Sequence, residues 1–322
     1  MKLNLQNTAF IFPGQGSQAV GMGKDLVAQY PIAKQTFEEA DSILGFSLSK
    51  LMTEGAADEL NDTVNTQPAL FVHSLASYRV FSHLYPDPST GSGQRLKPAA
   101  LAGHSLGELS ALAIAGAFSF EDGLRLVRKR AELMKRAGGL APGGMAAILG
   151  VDISTLDKVC AEASTPDEPV QVANDNCPGQ VVISGSKQAV ERAMTGAKSA
   201  GAKRALPLAV SIAAHSTLMA PIQQEWNEAV ASANFSPLQL TVVGNVHAQP
   251  LTDETAARAD IIAQMQSRVR WTESVQYMVS KGINTFVEVG TGTVLGGLVK
   301  RIADGMNILP LGNPQDFAAL AE

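Results

Sequence analysis

Apolar residues in this chain fall into short unbroken runs that alternate with longer stretches of helical spacing. Residues 9–12 (Ala-Phe-Ile-Phe) make one such run; a loop Pro13-Gly14-Gln15-Gly16-Ser17-Gln18 follows, then helical periodicity over 24–44. A second run at 99–102 leads into a helical stretch at 108–115, and a third at 285–289 leads through Gly290-Thr291-Gly292 into a helix ending near 302, the last element expected. Helical patterns also cover 61–85, with Pro68 suited to a helix start, and 121–136; residues 86–97 read as a flexible connection. Short apolar strands that alternate with helices predict an α/β fold built on a parallel sheet.

The pattern changes character after the glycine-rich stretch at 137–144. Strands are predicted at 145–151, 170–173, 181–184 and 205–209, with helices at 154–163 and 187–200. The order βαββαβ is the ferredoxin-like arrangement. A large subdomain from residues 1–140 and 212–322 would then carry a ferredoxin-like small subdomain, 141–211, as an insertion. The polar turn 174–180 between its middle strands is expected to face the site.

Composition narrows the function classes. The 322 residues are 45% hydrophobic and 17% charged, enough for a sizeable core. A formal net charge of −5 argues against nucleic acid or an anionic membrane as the main partner. The two cysteines, Cys160 and Cys177, and the five histidines show no metal-ligand spacing, so no metal site and no disulfide scaffold is expected. Cys177 has no base near it in sequence and reads as structural. The N-terminal apolar run is too short for a secretory segment and no stretch is suited to span a membrane, which together point to the cytoplasm.

The candidate chemistry centres on Gly103-His104-Ser105-Leu106-Gly107. Glycines on both sides of a serine permit a sharp strand-to-helix turn that projects the hydroxyl, with the following N–H, that of Leu106, able to face a reacting carbonyl oxygen. Ser105 is the candidate nucleophile. His215 lies where an apolar segment meets a helix and is the candidate base; His247 is a weaker rival, His104 is placed to line the pocket, and His73 and His83 read as packing or surface residues. Arg130 sits in the apolar stripe of its helix among Leu126, Val127, Leu133 and Met134, so it needs an anion. A structural carboxylate and a substrate carboxylate are equally open at this point. Gly14-x-Gly16-x-x-Ala19 fits a relaxed dinucleotide fingerprint, but the acidic residue that reading needs would fall inside a helix rather than at a strand end. Gln15 is then free to present amide donors to a reacting atom.

Taken together, Phe12-Pro13-Gly14-Gln15-Gly16-Ser17-Gln18, Gly103-His104-Ser105-Leu106-Gly107-Glu108 and Gly290-Thr291-Gly292 resemble the motifs of the malonyl-CoA:acyl carrier protein transacylases, over nearly the whole chain. The resemblance implies an α/β-hydrolase-like large subdomain with a ferredoxin-like insertion. It also implies Ser105 as acyl-carrying nucleophile, His215 as base and Arg130 as the partner of the malonyl carboxylate. Gln15 and Leu106 would form the oxyanion hole, and Gln264 would orient His215 through its main-chain carbonyl. Malonyl-CoA and acyl carrier protein are the implied partners, with Lys203, Arg204, Lys300 and Arg301 as candidates for docking the acidic carrier protein, coenzyme A thioester as substrate and no cofactor. Ala214 and Cys177 depart from the family's usual residues. Serine thioesterase or esterase activity, and a non-catalytic carrier-docking module, are the competing readings.

Overall fold

The computed structural model describes residues 3–86 and 97–321. Most of the 86–97 connection therefore lies outside the described residues. The strands are β1 (Thr8–Phe12), β2 (Ala100–Gly103), β3 (Gly143–Leu149), β4 (Val170–Cys177), β5 (Gln180–Ser186), β6 (Arg204–Pro207), β7 (Val242–Val243), β8 (Pro250–Leu251), β9 (Thr285–Val289) and β10 (Asn307–Leu311). They form a six-stranded sheet, order β10-β9-β1-β2-β7-β8, and a four-stranded sheet, order β4-β5-β3-β6.

In the larger sheet β1 pairs in parallel with β2 and β9, β10 with β9 and β7 with β2; only β8 runs antiparallel to its neighbour. Every residue of β1 is buried. Phe10 and Phe12 pack into one helical layer, where the Phe10 ring meets Phe81 edge-on at 5.1 Å, while Ala9 and Ile11 join Trp271, Val275 and Phe286 on the other. The uninterrupted apolar run is thus a consequence of cover on both faces. The smaller sheet is antiparallel throughout, and the helices Ile153–Ala163 and Lys187–Ser199 contribute Leu156, Val159, Ala189 and Ala193 to its own core. This strand order with these crossovers is the ferredoxin-like arrangement expected from the sequence.

Four differences from the sequence reading have physical causes. The pattern over 24–44 is two helices, Lys24–Gln29 and Pro31–Leu44, because Pro31 forces Tyr30 into extended backbone at φ −119°, ψ 112°. Pro68 lies inside the helix Thr63–Leu84; Asp62 sets its start by accepting from the Val64 N–H. The helix Phe120–Leu140 runs through Gly138, where an added Cβ would come within 2.9 Å of Ile212 Cγ1, so close packing overrides the glycine signal. Strand β4 continues through Asn174 and Asp175 by register shifts, with the Asp175 N–H on Val269 O at 2.9 Å. The helix Glu254–Gln264 was not foreseen, and the fold does not end near 302: β10 and the helix Pro314–Ala321 follow. Among the described residues no helix is long and apolar enough to cross a membrane.

The turn after β2 passes so near β1 that a Cβ on Gly107 would lie 2.0 Å from Phe12 O. Gly107→Ala should therefore destabilise the fold by about 1–3 kcal/mol or more through overpacking. Urea unfolding measures it; an unchanged midpoint would show that the turn has room to shift.

Candidate active site

Ser105 stands between β2 and the helix Leu106–Ile114 with φ 51° and ψ −105°, a conformation that strains any residue bearing a Cβ. Its surroundings fix it there. A Cβ on Gly103 would approach Gly107 C to 1.9 Å, so glycine alone permits the crossing. The Ser105 N–H donates to Asn245 Oδ1 at 2.8 Å, and Asn245 Nδ2 donates to Gly103 O at 2.7 Å, closing a clamp across the turn. Asp260 Oδ2 in turn accepts from the N–H groups of Asn245 and Val246. Sequence reasoning missed both residues; the one available signal was Gly244-Asn245 directly after an apolar strand.

The Ser105 hydroxyl lies 2.8 Å from His215 Nε2, and His215 Nδ1 lies 2.8 Å from Gln264 O. A carbonyl only accepts, so Nδ1 carries the proton and the Nε2 lone pair faces Oγ–H. Burial first, then the charge of Arg130, pushes the imidazole down to about 3, which keeps it neutral. His215 also has positive φ, 57°. Its carbonyl accepts from Gln171 Nε2 at 3.1 Å, and the same amide donates to Gln266 O at 3.0 Å, so a β4 side chain latches the smaller sheet to the histidine loop. The rival His247 is exposed in a crevice lined also by Arg268 and Arg270 and is not the partner of Ser105. His73 is buried in the helical layer and His83 is exposed.

Arg130 is 1% exposed. Nη1 donates to Gln67 Oε1 at 2.7 Å; Nη2 donates to Gln264 Oε1 at 2.7 Å and to Ser105 Oγ at 3.0 Å. All three acceptors are neutral. Burial lowers its pKa to about 10, which still leaves a cation at neutral pH. The charge of Glu108 partly offsets that lowering, while burial together with the facing Asp260 raises Glu108 itself well above the usual carboxylate range. Gln264 ties the parts together: its Nε2 donates to Glu108 Oε2 and to Ser105 O, its Oε1 accepts from Arg130, and its carbonyl accepts from His215.

The remaining expected residues line the same region. Leu106 opens the helix after Ser105, where an N–H has no acceptor within the helix. Gly14 packs so close that a Cβ would meet His104 O at 2.5 Å, which sets the loop of Gln15 beside the turn; Gln15 Oε1 accepts from Thr63 Oγ1. His104 Nε2 lies 2.8 Å from Asn176 Oδ1, and its ring stands edge-on to Trp271. Cys160 and Cys177 are both free and buried. Lys203 packs against Gly150, whose N–H bonds Gly179 O, and Arg301 reaches Pro178 O and Gln180 on the same turn, so these two basic residues flank one feature.

Comparison with known proteins agrees with this arrangement. Residues 9–306 match the family described as acyl transferase domain. The malonyl CoA-acyl carrier protein transacylase of Escherichia coli K12 is 45% identical over 314 residues, covering 98% of both chains, and that of Bacillus subtilis is 43% identical over 97% of this chain and 95% of its own. The crystal structure of an acyl carrier protein S-malonyltransferase from Vibrio cholerae superposes with a TM-score of 0.92 at 43% identity, covering 98% of this chain and 99% of that one. A malonyl-transacylase solved in complex with its type II PKS acyl-carrier protein gives 0.91 at 40% identity, covering 97% of this chain and 98% of that one. With a serine, a neutral histidine and a buried arginine meeting at one strand-to-helix turn, the chain belongs to the acyl transferase family, among the malonyl-CoA:acyl carrier protein transacylases.

Proposed function

We propose that this chain moves a malonyl group from malonyl-CoA to the phosphopantetheine thiol of an acyl carrier protein, holding it in between as an ester of Ser105. The observation that carries the reading is Arg130, a buried cation beside the serine whose acceptors are all neutral. An acyl group that ends in a carboxylate completes that site. A lipase-like esterase pocket would gain nothing from it, and an intact serine–histidine pair has no use in a docking module.

In the acylation step the Ser105 hydroxyl attacks the thioester carbonyl and its proton passes to His215 Nε2. The tetrahedral intermediate collapses with cleavage of the C–S bond, and His215 returns the proton to the departing coenzyme A thiolate. Transfer to the carrier protein reverses these roles, with the phosphopantetheine thiol as nucleophile. The Gln15 amide and the Leu106 N–H receive the developing oxyanion. Gln264 orients His215 through its carbonyl, and no acidic third member is required, because Gln264 O already fixes the Nδ1–H tautomer. His104 lines the acyl pocket. No metal or redox cofactor enters this chemistry; coenzyme A arrives and leaves as substrate and product. The reaction belongs in the cytoplasm.

Brief exposure to malonyl-CoA should add one malonyl mass to the protein, located by peptide mapping on Ser105, and addition of carrier protein should remove it. A label elsewhere, or loss of the group to water at the same rate without carrier protein, would overturn the reading.

The neutral His215 fixes the pH dependence. A base already deprotonated far below the 6.5 of a free imidazole keeps kcat/KM for malonyl-CoA level as pH falls through that value. The activity should decline only at lower pH, toward the depressed value, or where circular dichroism shows unfolding. An acid limb centred near 6.5 in folded enzyme would remove His215 from this role.

Arg130 should set acyl preference. Arg130→Ala should cost about 2–5 kcal/mol of malonyl recognition, the scale of losing one partner of a buried charge pair, while acetyl-CoA should lose much less or gain. Arg130→Lys should restore part of the preference, since it keeps the charge and loses the planar fork. The ratio of kcat/KM for malonyl-CoA over acetyl-CoA measures this, and an unchanged ratio in folded Arg130→Ala would make the arginine purely structural.

A further inference from the structure

Arg130 does more in this structure than wait for a carboxylate: one of its N–H groups is already spent on the nucleophile. A guanidinium offers five N–H donors, and a carboxylate pairs with it through two parallel bonds along one of two edges, Nε with Nη2 or Nη1 with Nη2. Both edges use Nη2. Here Nη2 donates both to Gln264 Oε1 at 2.7 Å and to Ser105 Oγ at 3.0 Å, while Nη1 donates to Gln67 and the buried Nε has no partner. A carboxylate can therefore be held bidentately only where Gln264 or Ser105 gives way.

Gln264 is fully buried and bound on every side, to Glu108 and Ser105 O through Nε2 and to His215 through its carbonyl. Ser105 is partly exposed. The longer and more accessible of the two contacts is the one to the serine.

We propose that the substrate carboxylate releases the nucleophile: in the free enzyme Arg130 holds Ser105 Oγ, and a carboxylate seated on Arg130 displaces that oxygen and frees it for attack. This rests on the reading of Ser105 as the acyl-carrying residue. The chemistry is commensurate, because one methylene separates the carboxylate of malonyl from its thioester carbonyl, and Nη2 and Oγ are immediate neighbours. A serine oxygen that accepts from a guanidinium has one lone pair engaged by a cation, so attack has to break or carry along a charge-assisted hydrogen bond. The step itself is unchanged: the Oγ–C bond forms, the C–S bond breaks, and the proton passes by His215 to the thiolate. The same pairing offsets the Arg130 charge, which after burial is the second cause of the lowered His215 pKa, so the base gains proton affinity in the same event. Discrimination against neutral acyl groups then appears in the rate of acylation as well as in binding.

The test separates the carboxylate from the acyl group. Wild-type enzyme is acetylated with acetyl-CoA in a rapid-quench experiment while formate is titrated in, with peptide mapping of the acetyl group and competition between formate and malonyl-CoA read alongside. Formate on Arg130 should raise the acetylation rate saturably, by about tenfold, the scale of one hydrogen bond to a charged group. Arg130→Met, which keeps the aliphatic stem and removes every donor, should be acetylated about tenfold faster than wild type without formate and should not respond to it. A competing formate that leaves the rate flat or lowers it overturns the release. If formate does not compete, the methionine variant decides, and a rate at or below wild type in folded protein overturns it. Acetyl found on a residue other than Ser105 instead sinks the underlying assignment of the nucleophile, which the release alone does not.

Discussion

Burying a guanidinium without a carboxylate is expensive, and the fold offsets that cost with amides drawn from opposite ends of the chain. Gln67 comes from the helix Thr63–Leu84 and Gln264 from the end of the helix Glu254–Gln264, and both present carbonyl oxygens to Arg130. Amide oxygens solvate a cation without cancelling it. An ionised carboxylate in the same place would have stabilised the empty enzyme more and left nothing for the substrate to complete. Glu108 adds only through-space support to the arginine's charge, and burial together with Asp260 raises it well above the usual carboxylate range.

Gln264 extends the same economy to the rest of the site. One residue fixes the tautomer of His215, solvates Arg130, caps Ser105 O and holds Glu108, so the three reactive groups share a single mechanical support. Displacement of this helix end would disturb all of them together. The smaller sheet contributes a second support through Gln171, which grips the His215 carbonyl and the Gln266 carbonyl at once. The two sheets are therefore joined at the point where the base is held.

Residues whose role shows in local pattern were legible in the sequence. Ser105 is flanked by the glycines its turn demands, and Arg130 interrupts an apolar stripe, so each contradicts its surroundings in a way that can be read. Asn245, Asp260, Gln67 and Gln171 carry no such mark: each is one polar residue in an unremarkable segment, and its partner is far away in the chain. Hydrogen-bond partnership across the fold has no periodicity. The parallel sheet and the βαββαβ insertion were visible for the opposite reason, because burial on both faces or on one imposes a repeat on every residue of an element. Strand β10, beyond the last element expected, carries Pro310, and as an edge strand it tolerates it, because a missing N–H there costs the ladder little.

Ser105 and His215 both hold positive φ, 51° and 57°, in backbone that glycine would occupy without strain. The hydroxyl and imidazole are thus kept at positions where their own Cβ atoms oppose the fold, and the surrounding glycine crossing, the Asn245 clamp and the Gln171 latch hold them against it. Selection for stability alone would favour glycine at both positions. A descendant that lost the need to transfer acyl groups would relax at the reacting pair itself, so that the persistence of serine and histidine at these two backbone positions is, in a population of diverging sequences, a record of continuous use.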